Sequence, residues 1–332
     1  MPEESTRVFH RCGIVIIGRN EGDRLRRCLN SVSGKTKPIV YVDSGSVDGS
    51  VLLAKDLGVE VLELDMSISF TAARARNAGF SLLRELIPGL PYVQFVDGDC
   101  EIVDGWLEEA WRFLDDHPEV AVVCGRRRER FPRASVYNLL CDMEWDTPIG
   151  EAKACGGDSM MRMNALGQVG AFNEDMIAGE EPELCVRLRK HGWKIWRLER
   201  EMTLHDAAIT SFGQWWKRTF RSGFAFAEGA YLHGAPPERH WVTESRRALM
   251  WGLLIPLAVI AGLIVIGFPA LLILLVYPIQ VVRLAVRGNP YKKEFWARAF
   301  FLVLGRFPEA MGQVNFLLVR LTRQNKRLIE YK

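Results

Sequence analysis

The sequence predicts a doubly wound α/β domain followed by a membrane-associated helical segment. Short Val/Ile/Leu runs alternate with helical patterns from Cys12 to about Cys124. The first 207 residues carry 26 Lys+Arg against 34 Asp+Glu, and the remainder 17 against 6. No charged side chain occurs in the 35 residues from Ala248 to Val282. Continuous apolar runs separated by helices mark a parallel sheet covered on both faces, and a run of ~20 apolar residues is enough to cross a bilayer as a helix.

Averages over the chain hide this division. The 332 residues are 48% hydrophobic and 25% charged, with net charge +3 and mean hydropathy +0.01. Such values exclude a disordered tail, a collagen and a disulfide mini-scaffold. By the counts above, the two parts carry −8 and +11. The acidic head argues against nucleic acid as a partner. Seven cysteines, Cys12, Cys28, Cys100, Cys124, Cys141, Cys155 and Cys185, form no CxxC pair. Neither a zinc site nor a disulfide framework is readable from them, and reduced core cysteines are expected.

The elements follow in order. CGIVIIG reads as a strand before a helix over Asp23 to Val32. PIVYVD precedes a helix over Val51 to Leu57, and VEVLEL precedes one over Phe70 to Leu86, closed by Pro88-Gly89. PYVQFVD, a helix over Gly105 to Asp116 and the strand EVAVVC come next. After Cys124 the alternation gives way to RRRERFPR and an irregular stretch up to Lys153. A strand ACGGDSMM, a helix start near Asn164, a helix over Glu181 to His191 and the strand WKIWRLE complete the head.

The expected domains are a catalytic-type head over 1–207, an aromatic and basic connector over 208–247, a membrane hairpin over 248–286 and basic amphipathic helices over 287–332. The uncharged run would reach roughly 52 Å as one helix, against a hydrocarbon core of ~30 Å. Phe268-Pro269 divides it. Arg246 and Arg247 flank one end and Arg283, Arg287, Lys292 and Lys293 the other, so a transmembrane hairpin with both ends in the cytosol satisfies the positive-inside rule. A re-entrant hairpin is the alternative. Phe295, Trp296, Phe300, Phe316, Arg298, Arg320, Arg323 and Lys326 suit helices lying among anionic headgroups. Met1 to Arg11 is polar, without an apolar segment of signal-peptide type, so the head is expected on the cytoplasmic side of the inner membrane.

Polar residues gather where strands end: Asn20 and Glu21, Asp43, then Asp97-Gly98-Asp99. In open α/β sheets, ligands bind beyond the carboxyl ends of the strands. Two carboxylates around a glycine can share a hard cation such as Mg²⁺ or Mn²⁺, which is held by oxygen ligands and substrate phosphates. Gly179-Glu180-Glu181-Pro182-Glu183-Leu184 opens a helix. Its carboxylates fit dipole partners at a helix start or, in a cleft, a general base. Gly34-Lys35-Thr36 is not a P-loop, because Leu29 stands where the motif needs glycine.

VIIGRNEGDRLRRCLNSV, VDSGSVDGS, the VDGD strand end, GGDSMMR followed by GAFNE, and GEEPELCVRLRKHGW together resemble the family-2 nucleotide-sugar glycosyltransferases of GT-A fold, over about residues 12–206. The resemblance implies a metal-dependent, inverting transfer of a sugar from a nucleoside diphosphate sugar, UDP- or GDP-linked. It assigns Asn20, Glu21, Asp43, Arg76, Asn77 and Asp97 to the donor, Asp97, Asp99 and His205 to the metal, and Glu181 to the catalytic base. Glu180 and Asp158 are fallback bases. Gly157, Asp158, Glu180, Arg126, Arg128 and Trp215 are candidates for the acceptor side, with Arg126 and Arg128 in a run able to hold a diphosphate. Gln214-Trp215-Trp216-Lys217-Arg218 resembles the signature of processive polysaccharide synthases, except that Thr219 stands in place of tryptophan. The acceptor expected is a lipid-linked saccharide or a surface polysaccharide precursor. Transfer onto polyprenyl phosphate and a non-catalytic nucleotide-sugar-binding scaffold are the alternatives, and no motif specifies an oligomeric state.

Overall fold

A computed structural model describes residues 11–322. Among these the chain forms two compact units, one comprising the residues up to Pro132 with Cys141–Ala207, the other Arg133–Leu140 with the residues from Ala208 onward. The expectations for Met1 to His10, Arg323 and Lys326 lie outside the described residues.

The first unit is a nine-stranded sheet with helices packed against it. Its strands are β1 (Cys12–Gly18), β2 (Ile39–Asp43), β3 (Glu60–Glu63), β4 (Tyr92–Asp97), β5 (Cys100–Ile102), β6 (Val120–Glu129), β7 (Gly150–Ala152), β8 (Ser159–Arg162) and β9 (Lys194–His205). The order is β3-β2-β1-β4-β8-β6-β9-β5, with β7 on β9. Helices α1 (Asp23–Val32), α2 (Ser50–Asp56), α3 (Ala72–Leu86) and α4 (Trp106–Asp116) fall in the connections read from the sequence. The helix expected from Phe70 starts at Ala72, because Thr71 accepts the Arg74 N–H at 3.1 Å as an N-cap.

Apolar matter lies on both faces of the sheet, which is why its strands are continuously hydrophobic. Leu25, Leu29, Trp106 and Leu114 are fully buried with Ile14 and Ile16 on one face, and Phe80, Leu83 and Leu166 with Val15, Val93 and Phe95 on the other. Each such side chain stabilises the fold by about 1.5–3 kcal/mol when removed from water. Gly79 lets α3 close on the sheet, since a Cβ there would stand 2.4 Å from Val15 Cγ1. A polar pair deep between β4 and α4 is satisfied, Trp106 Nε1 donating to Gln94 Oε1 at 2.9 Å.

Three expectations are corrected. The sheet is mixed rather than mostly parallel: β3, β2, β1 and β4 are parallel, but β8 runs antiparallel to both β4 and β6, and β5 and β7 run antiparallel to β9. β4 leads through Gly98-Asp99 into β5, which pairs with β9 and not with β4. The stretch read as irregular after Cys124 is also strand, because β6 continues to Glu129 beside β9 with three register shifts. Alternation along that strand sends Arg127 to one side and Arg126 and Arg128 to the other, where each finds carboxylates. Conversely, only the last three residues of ACGGDSMM are strand, in β8, as Gly156 at φ 98° holds the preceding backbone in a loop.

The second unit is helical. α5 (Val136–Glu144) begins in it, while α6 (Met163–Val169) and α7 (Glu180–Lys190) belong to the first unit. α8 (Phe212–His233) starts at a capping box between Ser211 and Gln214. It packs on α12 (Arg306–Leu321) through Gly223 and Gly312, where an added Cβ would come within 2.0 Å of Glu309 O and 2.1 Å of Phe220 O. Small residues at a helix crossing allow that approach. Between them, α9 (Val242–Ile266, with a π turn at Met250–Leu254) and α10 (Phe268–Arg287) are long and apolar enough to cross a membrane, with mean hydropathies 2.6 and 2.0. α11 (Lys293–Leu304) precedes α12. Ile260, Ile264, Val265, Phe268 and Leu272 stand exposed on α9 and α10, as a lipid-facing surface requires.

Candidate functional site

Register brings the polar strand ends together. Gly18 pairs with Asp43 across β1 and β2, and Ile17 pairs with Asp97 across β1 and β4. Asn20, in the left-handed region at φ 56°, accepts the Val47 N–H at 2.8 Å and donates its own N–H to Ser46 Oγ at 2.9 Å. Asp43 is buried and accepts the Gly45 and Ser46 N–H groups at 2.9 and 2.8 Å and the Tyr41 hydroxyl at 2.9 Å. Glu21 is paired with Arg24 at 2.9 Å. These three residues shape the loops over the ends of β1 and β2.

The centre is a set of carboxylates balanced by two interior arginines. Arg76, on α3, donates to Asp97 Oδ1 and to Glu180 Oε1, both at 2.7 Å. Arg127, on β6, lies 2.9 Å from Asp158 Oδ2 and 3.9 Å from Asp97 Oδ2. Asp158 is fully buried and also accepts the Asp97 N–H at 3.0 Å and the Thr203 hydroxyl at 2.9 Å. Burial works against the charge on both guanidiniums, but the surrounding carboxylates outweigh it and raise their pKa. Gly157 is required here by space, since a Cβ would meet Arg76 Nη2 at 2.7 Å and Asp97 Oδ2 at 3.0 Å.

Gly98 permits the tight turn between β4 and β5, a Cβ there standing 3.1 Å from Glu21 Cγ and 3.2 Å from Ile17 O. Beyond it, Asp99 Oδ2 faces His205 Nε2 at 3.1 Å, with both side chains buried. Trp145 stacks on the imidazole at 4.7 Å between centroids. Burial, then the charge of Arg127, depresses the His205 pKa to about 4, so the ring is neutral at physiological pH. Its Nδ1 is buried and has no hydrogen-bond partner among the described residues. A neutral imidazole and a carboxylate oxygen at 3.1 Å stand as far apart as two ligands at ~2.1 Å on one octahedral ion. Asp99 and His205, with Asp97 on the other side of Gly98, therefore fit a divalent cation chemically.

Glu181 is buried at the start of α7. Its Oε1 accepts from the Cys155 N–H at 2.7 Å, Cys155 Sγ at 2.9 Å and Cys185 Sγ at 3.2 Å, and among the described residues Oε2 makes no hydrogen bond. Other predicted residues are engaged elsewhere. Asn77 fastens the loop before α7, bonding Phe172 O at 2.8 Å, the Phe172 N–H at 2.9 Å and Glu174 Oε1 at 2.9 Å. Arg126 pairs with Asp142 and Asp146, and Arg128 with Asp142 and Glu201 at 3.1 and 2.8 Å, away from the central carboxylates. Trp215 is buried in the second unit against Phe301 and Tyr137. Sequence reasoning missed the central placing of Arg127 and Thr203; strand alternation along RRRE was the available signal for the arginine, and nothing in the sequence marked the threonine.

Residues 13–148 match the family described as Glycosyl transferase family 2. The glycosyltransferase AglE of Haloferax volcanii is 25% identical over 63% of this chain and 71% of its own length. The pre-mycofactocin glycosyltransferase of Mycobacterium tuberculosis is 26% identical over 66% of this chain, which spans about half (47%) of that relative's length. Among solved structures, the mannosyltransferase PcManGT of Pyrobaculum calidifontis, in complex with GDP-Man and Mn²⁺, superposes with a TM-score of 0.63 at 16% identity, over 92% of this chain and 87% of that one. That likeness shows the fold, a mixed α/β sheet of GT-A type, and the relatives support glycosyl transfer. Residues 13–148 thus form a Glycosyl transferase family 2 domain.

Proposed function

We propose that the chain is a metal-dependent, inverting glycosyltransferase. It moves a sugar from a UDP- or GDP-sugar to a hydroxyl of a lipid-linked saccharide or surface polysaccharide precursor, at the cytoplasmic face of the inner membrane. The observation that carries the reading is the Asp99–His205 pair, buried, 3.1 Å apart and next to Asp97 at the end of β4. PcManGT, solved with GDP-Man and Mn²⁺, supports a nucleotide sugar and a divalent cation as ligands. α9 and α10, with Arg246, Arg247, Arg283 and Arg287 near their outer ends, support the membrane assignment.

Asp97, Asp99 and His205 would hold Mg²⁺ or Mn²⁺, which when bound supplies positive charge against the departing diphosphate. Arg76 fixes Asp97 and Glu180 in one arrangement, so the site needs little reorganisation during transfer. Glu181 receives the proton of the acceptor hydroxyl as that oxygen attacks the anomeric carbon from the face opposite the leaving group. A single displacement then inverts the configuration. Geometry favours Glu181 over the fallback bases: Glu180 is committed to Arg76, and Asp158 is closed in by Thr203, Arg127 and the Asp97 N–H.

The test is nucleoside diphosphate release from a panel of UDP- and GDP-sugars, with membrane extracts as acceptor source and with Mn²⁺ or a chelator. Release requiring both metal and acceptor is expected. Tight, metal-dependent donor binding without turnover would favour the scaffold alternative.

A further inference from the structure

We infer that Cys155, Cys185 and Glu181 form a second metal site, selective for a thiophilic divalent cation such as Zn²⁺. The three ligand atoms lie within 4.8 Å of one another, across the loop before β8 and the first two turns of α7. The two sulfurs are 3.7 Å apart. Two thiolates bound to one tetrahedral Zn²⁺ at about 2.3 Å stand ~3.8 Å apart, so the sulfurs already hold the required separation. Glu181 Oε1, 2.9 and 3.2 Å from the two sulfurs, needs to withdraw to about 3.5 Å from each to become the third ligand.

The ligand chemistry differs from that at Asp97 and Asp99. Oxygen donors suit Mg²⁺ and Mn²⁺, whereas thiolates select zinc. Both thiols hydrogen-bond to the same carboxylate oxygen, and a bound cation would replace those two protons. Cys155 is only partly buried, which gives an ion a route in, while Cys185 and Glu181 are buried. Thirty positions separate the cysteines, so no spacing motif announces the site. Three protein ligands also leave a fourth position for water.

Resting on the reading of Glu181 as base, occupation of this site withdraws that carboxylate from the acceptor and inhibits transfer. Zinc would then act against the cation at Asp99 rather than in its place.

Cobalt titration of the full-length protein in detergent, kept reduced with a phosphine, tests the site. One equivalent should produce thiolate-to-cobalt charge-transfer bands that Zn²⁺ abolishes. In competition with a chromophoric chelator, Cys155→Ser and Cys185→Ser should each weaken Zn²⁺ binding on the order of 100-fold. Asp99→Asn should leave the bands intact. Thermal unfolding checks that Cys185→Ser folds, and the partly exposed Cys155→Ser serves if it does not. Absent thiolate bands, or bands unchanged in a folded cysteine variant, overturn the site.

A second readout separates the two readings. In the Mn²⁺-loaded enzyme, Zn²⁺ should lower transfer at least about tenfold, and Cys155→Ser should need about 100-fold more free Zn²⁺ for the same fractional loss. Undiminished transfer with the cysteine site spectroscopically full overturns Glu181 as base and leaves the metal site standing.

Discussion

Arg126 and Arg127 are adjacent in the chain and lie in different regions of the first unit. Arg127 enters the carboxylate cluster with Asp158 and Asp97, and its side chain is 15% exposed. Arg126, 20% exposed itself, pairs with the half-buried Asp142 and with Asp146, which is 58% exposed. The same residue type therefore has two physical situations. In the interior a charge is tolerated only while its partners remain, because an uncompensated charge there costs several kcal/mol. For Arg126 one partner, Asp146, is solvated, and water screens that pair. Function is expected where charges are held against that cost.

The largest effect should come from Glu181→Gln. Transfer is expected to fall roughly 10²–10⁴-fold, as for loss of a general base, while a thermal-shift titration still reports donor binding. Retention of wild-type turnover would move the base elsewhere. Next, Arg76→Leu should destabilise the fold by about 3–5 kcal/mol, because Asp97 and Glu180 lose their buried partner, as chemical denaturation can measure. Arg127→Leu should resemble it, whereas Arg126→Ala should cost less, because its partner Asp146 is already solvated. Equal costs for Arg126 and Arg127 would erase that distinction.

A smaller effect concerns pH. Burial and Arg127 hold the folded-state pKa of His205 at about 4, against an ordinary value of 6.5. Between these values the unfolded chain binds the proton more readily. Stability of the metal-free protein is therefore unaffected by this group above about pH 6.5 and falls by up to ~3 kcal/mol as pH drops toward 4. His205→Gln should flatten that part of the curve in unfolding experiments across the range. An unchanged slope would show that other groups govern acid sensitivity.

The parallel half of the sheet was legible because its strands are buried on both faces and read as unbroken apolar runs. Asp43 and Asp97 were legible because strand ends are where polar residues interrupt those runs. β6 beyond Cys124 was not, since five arginines in a short stretch resemble a solvated loop until partners on β9, on α5 and in the loop before β8 are known. The link between Cys155 and Cys185 was equally hidden, because it depends on how a glycine-rich loop meets α7 and not on local spacing. The roles of Asn77 and Asp158 as braces likewise depend on tertiary partners, the 172–174 loop for one and Thr203 with Arg127 for the other. In the second unit, composition announced the apolar spans, but the close contact of α8 with α12 rests on Gly223 and Gly312, which carry no sequence signal of their own.

The central claim is that Asp99 and His205 hold the cation on which sugar transfer depends. The most direct measurement is nucleoside diphosphate release against Mn²⁺ concentration, comparing wild type with Asp99→Asn under saturating donor and acceptor. Metal-dependent release in the wild type and a loss of roughly 10²-fold or more in the variant, not restored by added Mn²⁺, are predicted. Release that persists in chelator, or that is the same in both proteins, would contradict the account.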